Sequence, residues 1–117
     1  MKVCNIQTVK SYEEFVSDGK VLIVVRPHTC ATCERLAPVF FANIEEVKSK
    51  VKDLKVAIVF IEDAPECAAH LGVCSPTLFL YKDGKLLLRE VLDKYSAVEF
   101  QQFLLQRVPS IFSQAEQ

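Results

Sequence analysis

The stretch from Val21 to Phe41 constrains this chain more than any other. It opens with Val21-Leu22-Ile23-Val24-Val25, five apolar and mostly β-branched residues in a row. Such a run reads as a strand buried on both faces. Arg26-Pro27-His28-Thr29 breaks the pattern, because Pro27 has no N–H for a sheet ladder and restricts the residue before it. From Cys30 onward the spacing turns helical, with Leu36, Val39, Phe40, Ile44 and Val47 recurring at threes and fours. Cys30 and Cys33 therefore fall where a strand ends and a helix begins. Unpaired backbone N–H groups and the positive end of the helix dipole favour a thiolate there.

Composition narrows the classes that can hold this stretch. The chain has 117 residues, half of them hydrophobic and a quarter charged, which is enough for one domain with its own core. A net charge of −1 gives no electrostatic footprint for nucleic acid or an anionic membrane surface. No apolar run approaches a membrane span, and Met1 to Gln7 lacks a signal-peptide core. The five cysteines, Cys4, Cys30, Cys33, Cys67 and Cys74, are odd in number and come with no secretion signal. That argues against a disulfide scaffold and for a reducing, cytoplasmic compartment, where paired cysteines serve catalysis or metal binding.

The remaining elements follow in order. Val3 to Val9 reads as an outer strand. Ser11-Tyr12-Glu13-Glu14 reads as a capping box with Ser11 at the N-cap, opening a short helix that turns Tyr12, Phe15 and Val16 inward and ends at Gly19. Lys20 to Val25 is a strand. The long helix from Thr29 or Cys30 runs to about Val51, with a kink expected at Pro38. Lys55 to Ile61 is a second buried strand. Pro65 falls in the first turn of a helix over 65–71 that Gly72 closes. Leu78 to Tyr81 and Leu86 to Val91 are strands joined by the hairpin signal Lys82-Asp83-Gly84-Lys85. Ser96-Ala97-Val98-Glu99 is a further capping box, opening a helix with Val98, Phe100, Phe103 and Leu104 inward. Val108-Pro109 reads as its stop, and residues 109–117 as a surface tail. The order predicts a three-layer α/β/α domain over residues 1–108 around a central mixed sheet of four to five strands.

Several of these features together resemble the thioredoxin family: the element order, Cys30-Ala31-Thr32-Cys33 at a strand–helix junction, Pro38 five residues after the second cysteine, Ser75-Pro76-Thr77 ahead of a strand, and the hairpin beyond. The resemblance covers about residues 1 to 108. It implies a thioredoxin fold and thiol–disulfide exchange on protein disulfides, with Cys30 as nucleophile and Cys33 as resolving thiol. It implies a cis peptide bond before Pro76, facing the cysteines, and a substrate groove that includes Thr29, Ala31, Thr32, Ser75 and Pro76. It implies disulfide-containing protein substrates, a reductase that supplies electrons, and no bound cofactor or metal. Cys74 resembles an extra cysteine of animal-type thioredoxins and is a candidate regulatory thiol, in a monomer or in a dimer joined through it.

Departures from the family pattern are as specific. The family's Trp-Cys-Gly-Pro-Cys is here Thr29-Cys30-Ala31-Thr32-Cys33. The buried aspartate of the preceding strand corresponds to Val24, the nearby buried lysine falls among the apolar residues of Lys55 to Ile61, and the glycine after the hairpin corresponds to Leu92. Valine cannot take a proton from the resolving thiol, so Cys33 is expected to be activated slowly or through water. His28 and Arg26 are candidates for stabilising a thiolate by charge, against the plainer reading as solvated loop residues. Cys4 and Cys67 are assigned to packing. Two other classes stay open: a non-catalytic adaptor on the same fold, whose binding would survive serine at both cysteines, and a zinc protein using Cys30, Cys33, Cys67 and Cys74, with His70 near. The spacing of the latter set is atypical of zinc sites.

Overall fold

The computed structural model describes residues 4–116, with side chains described from Ile6 onward. The strands are β1 (Cys4–Asn5), β2 (Lys20–Arg26), β3 (Lys55–Phe60), β4 (Thr77–Lys82) and β5 (Lys85–Val91). They form one mixed sheet in the order β1-β3-β2-β4-β5. β2 lies parallel to β3 and antiparallel to β4, and β4 is antiparallel to β5. β2 is thus an interior strand, and both faces of the sheet are covered there, so its five middle residues are all buried.

Side chains of β2 alternate between two cores. Leu22 and Val24 face a core built with α2 (Ala31–Lys50), α4 (Ala97–Gln102) and α5 (Val108–Ala115). Val21, Ile23 and Val25 face a second core under α1 (Val9–Val16) and α3 (Pro65–Leu71). These are the three layers expected from the sequence. Among the described residues no helix is long and apolar enough to cross a membrane.

Local signals explain most boundaries. Pro65 opens α3, and Gly72 closes it at φ 68° with its N–H on Ala68 and Ala69 carbonyls. Asp83 (φ 49°) and Gly84 (φ 84°) make the tight β4–β5 turn, whose two left-handed residues match the twist of the strands. Ser96 and Glu99 cap α4 reciprocally. α2 runs through Pro38 without interruption.

Three expectations are corrected. The first helix is capped by Thr8, not Ser11: the Thr8 hydroxyl accepts the Ser11 N–H at 3.0 Å, and the Ser11 hydroxyl accepts the Thr8 N–H at 3.1 Å. The box therefore sits three residues upstream, Val9 is helical, and β1 spans Cys4–Asn5 only. Val3 of the expected strand lies outside the described residues. Val98 does not face inward; it is 63% exposed on the outer side of α4, while Phe100, Phe103 and Leu104 are buried.

Nor does the last helix stop at Val108-Pro109. A π turn over Phe103–Arg107 passes the Val108 N–H to the Phe103 carbonyl, and α5 continues to Ala115. The segment read as a tail places Phe112 fully in the core, beside Val108 at the start of the same helix. Burial of these two side chains is worth about 4 kcal/mol, which outweighs the local disruption by a proline placed in the first turn of α5.

Candidate active site

The site sits where β2 hands over to α2. Cys30 is the N-cap of α2 in extended conformation, and its sulfur accepts the Cys33 N–H at 3.0 Å. The same geometry in a serine or aspartate satisfies an orphan helix donor; at a cysteine it lowers the cost of a thiolate. Cys30 and Cys33 are joined as a disulfide, with Cα atoms 5.2 Å apart. Cys30 is half-buried, whereas Cys33 is only 5% exposed.

Beside Cys33 lies an apolar pocket whose walls include Val24, Ile58, Phe40, Pro76 and Leu92. Val24 pairs with Ile58 on one side and Leu78 on the other, so three aliphatic side chains stand in a row beneath the motif. A water needs two to four polar partners to sit stably in such a place, and this lining offers almost none. The polar residues in its lining are Arg26 and Thr32, and the Thr32 hydroxyl is held by Asp93.

Pro76 is buried and lines the same pocket as Cys33. The bond before it is trans, not the cis form that the resemblance implied. Trans is the lower isomer by roughly 0.5–1 kcal/mol, and here the Pro76 carbonyl accepts the Leu92 N–H at 2.9 Å while the Thr77 hydroxyl binds the Ser75 carbonyl at 2.9 Å. Thr29 and Ala31 are exposed beside the disulfide, Thr32 and Ser75 are half-buried, and Cys74 is exposed with a free thiol.

His28 and Arg26 turn toward the β3–α3 loop. The His28 ring stacks on Phe60 at 4.4 Å, its Nε2 lies 3.0 Å from Asp63, and its backbone N–H donates to Glu62. The Arg26 guanidinium lies 5.3 Å from the centre of the Phe60 ring and donates to the Pro27 and His28 carbonyls. Burial pulls Arg26 below its usual range, against the Glu62 charge. Both side chains brace the loop ahead of Cys30.

Cys67 is fully buried in the core under α3, where burial pushes its thiol up. It does not join Cys30 and Cys33, and among the described residues no cluster of three metal-type ligands forms. The Cys4 side chain lies outside the described residues.

Sequence reasoning missed the turn after β5. Leu92–Lys94 forms a 3₁₀ turn against the first turn of α2. The Thr32 hydroxyl donates to the Asp93 carboxylate at 2.8 Å, and Arg35 donates to the Tyr95 carbonyl at 3.0 Å and the Asp93 carbonyl at 3.4 Å. Beneath the turn, Glu90 accepts from Lys94 at 2.6 Å and from the Tyr95 hydroxyl at 2.9 Å. Burial opposes ionisation of Glu90, but those two donors outweigh it and hold the carboxyl below its usual range. The contacts that fasten this turn to α2 join residues 58 to 61 apart in sequence, so no local motif announces them.

A sequence model of the thioredoxin family matches residues 3–106. The chain belongs to the thioredoxin family. It is 34% identical over 87 residues to a thioredoxin of Chlamydia caviae, covering 74% of this chain and 81% of that one. It is 37% identical over 81 residues to a thioredoxin of Rickettsia bellii, covering 67% and 74%, and 33% identical over 82 residues to that of Bacillus subtilis, covering 68% and 75%. Among solved structures, Plasmodium falciparum thioredoxin superposes with a TM-score of 0.70 at 16% identity, over 87% of this chain and 96% of that one. Oxidised mitochondrial thioredoxin 3 of Saccharomyces cerevisiae gives 0.65 at 16%, over 97% and 92%; at such identity these two speak for the fold. With the family and the Cys30–Cys33 pair together, this thioredoxin-family chain is a thiol–disulfide oxidoreductase.

Proposed function

We propose that Cys30 is the attacking thiol and Cys33 the resolving thiol in the reduction of protein disulfides. The Cys30 thiolate attacks one sulfur of the substrate disulfide, and the other substrate sulfur leaves as a thiolate and takes a proton from solvent. Cys33 then loses its proton and attacks the Cys30 sulfur. The second substrate sulfur leaves, and the Cys30–Cys33 bond remains. Two electrons pass from the dithiol to the substrate. The carrying observation is the Cys33 N–H donated to a half-exposed Cys30 sulfur at the start of α2, while Cys33 itself is shielded.

Substrate backbone runs past Thr29, Ala31 and Thr32 on one side and Ser75 and Pro76 on the other in this reading. A partner reductase returns the pair to the dithiol, placing the protein in an electron-transport chain of a reducing compartment, the cytoplasm. The working form is a monomer, and the exposed Cys74 thiol is the point through which two copies join on oxidation. The domain extends past residue 108 to include α5.

Cys33→Ser accumulates a mixed disulfide with a model substrate such as insulin, while Cys30→Ser forms none; mass spectrometry under non-reducing conditions reads both. Equal trapping by the two variants refutes the assignment. The adaptor reading draws on one observation, the apolar wall of Val24, Ile58 and Leu92 where a proton acceptor would stand. It requires partner binding that survives serine at both positions and no dithiothreitol-dependent turnover in the unaltered protein.

A further inference from the structure

Resting on the reading of Cys30 as the attacking thiol, we propose that Asp93 is a positioning residue that makes the Cys30–Cys33 couple more reducing, by engaging Thr32 inside the motif and setting a negative charge beside the first turn of α2.

The Asp93 carboxylate holds the hydroxyl of Thr32, the residue between Ala31 and Cys33, at 2.8 Å. Two consequences follow. The Thr32 hydroxyl is committed to a carboxylate and does not turn to a sulfur in its own motif. A full negative charge also stands within about one helical turn of Cys30, next to the helix end whose dipole favours the thiolate. Like charges oppose each other, so the Cys30 thiolate forms less readily than the bare helix start allows. A dithiol whose thiolate is disfavoured is a less stable reduced form, and its couple lies at a more reducing potential.

The turn is built to keep that charge in place. Arg35 grips the Asp93 and Tyr95 carbonyls, Leu92 is buried, and its N–H binds Pro76. Neighbouring charges do not cancel the effect at Asp93. Lys94 is paired with Glu90, and the charge of Arg35, held at the Asp93 and Tyr95 carbonyls, is offset by that of Glu34 beside it on α2. Arg26, which lines the pocket with Thr32 and Cys33, brings a positive charge that Glu62 opposes, and His28, Glu62 and Asp63 are engaged with one another. None of these is altered by the variants below.

The test compares the full chain with Asp93→Asn, which keeps an acceptor for Thr32 but removes the charge, and Asp93→Glu, which keeps the charge. Two readouts are taken: the pH midpoint of Cys30 alkylation by iodoacetamide, and the equilibrium constant against glutathione. With Asp93→Asn the midpoint falls by about half a unit and the equilibrium shifts toward the dithiol about threefold, or about 14 mV. Asp93→Glu restores values near those of the unaltered protein. A merely structural Asp93 would lower thermal stability in Asp93→Asn and leave both readouts unmoved; that result overturns the inference. If the unaltered protein itself fails to equilibrate with glutathione, the assignment of Cys30 and Cys33 falls first.

Discussion

Lys50, in the last turn of α2, donates its ammonium to the carbonyl of Leu105 at 3.0 Å. Leu105 is four residues before Pro109, and in an unbroken helix its carbonyl would take the N–H that proline lacks. A side chain from a different helix thus serves a group that the local sequence leaves poorly served. Together with the π turn over Phe103–Arg107, it lets the C-terminal helix pass a residue that reads as a terminator.

Replacing Lys50 by methionine keeps most of the apolar stem and removes the donor. The expected loss is about 1 kcal/mol of unfolding free energy, since the bond is to a charged donor but is exposed. In a Pro109→Ala background the same replacement costs less, because an N–H is again available to Leu105. Denaturant unfolding of the four proteins in this cycle measures the coupling. Equal losses in both backgrounds would separate Lys50 from the proline.

A chain ended at Arg107 loses α5, and with it Val108 and Phe112 from the core against α2, α4 and the sheet. Phe112 is 2% exposed and Val108 not at all. The truncated protein is expected to be less stable by about 4 kcal/mol, a large fraction of what a domain of this size holds, and to expose Phe103 and Leu104 to hydrophobic dyes. A chain of unchanged stability would return residues 109–117 to the status of a tail.

This helix marks where local reading ends. β2 and β3 were legible because continuous β-branched runs have few alternatives, and α3 and the β4–β5 turn because Pro65, Gly72 and Asp83-Gly84 have strong backbone preferences of their own. The cysteine pair at the start of α2 was legible for the same reason. The first helix was misplaced because Thr8-x-x-Ser11 and Ser11-x-x-Glu14 are overlapping boxes, and only the fold decides which hydroxyl faces the free N–H groups. α5 and the Asp93–Thr32 contact were illegible because their partners lie 55 and 61 residues away. Local patterns carry backbone preferences; they carry nothing about which distant side chain meets an orphaned carbonyl.

Val24 stands 7% exposed between Ile58 and Leu78, on the wall next to Cys33. Aspartate there gains a proton acceptor near the resolving thiol but enters an apolar site without a partner. The expected result is a faster decay of the mixed disulfide at neutral pH, with a flatter fall on acidification than in the unaltered protein. Stability drops by about 2–4 kcal/mol. The new carboxyl is pushed up by burial, so the penalty grows as pH rises above its ordinary range. Rapid-quench measurement of mixed-disulfide decay separates the two effects. An unchanged decay rate in a folded Val24→Asp protein would mean that proton removal from Cys33 does not limit resolution.

All three tyrosines of the chain resist ionisation, Tyr12 and Tyr81 buried and Tyr95 half-buried over Glu90. Burial raises Tyr12 well above the usual phenol range, helped by the Tyr81 hydroxyl 2.8 Å from its own, and burial also raises Tyr81. Burial, reinforced by the Glu90 carboxylate that accepts its hydrogen bond, pushes Tyr95 up to about 12. A phenol raised in the folded state stabilises the fold below its unfolded value of about 10 and gives that stability back as pH climbs through the folded value. The tyrosinate absorbance is therefore expected to stay flat past pH ~10 and then rise steeply together with loss of structure. Glu90→Gln removes the charge beneath Tyr95 and lets that one phenol titrate earlier, ahead of unfolding, while Tyr12 and Tyr81 remain silent. A smooth titration of all three near pH ~10 in the folded protein would contradict the buried placement of Tyr12 and Tyr81 and the hold of Glu90 on the half-buried Tyr95.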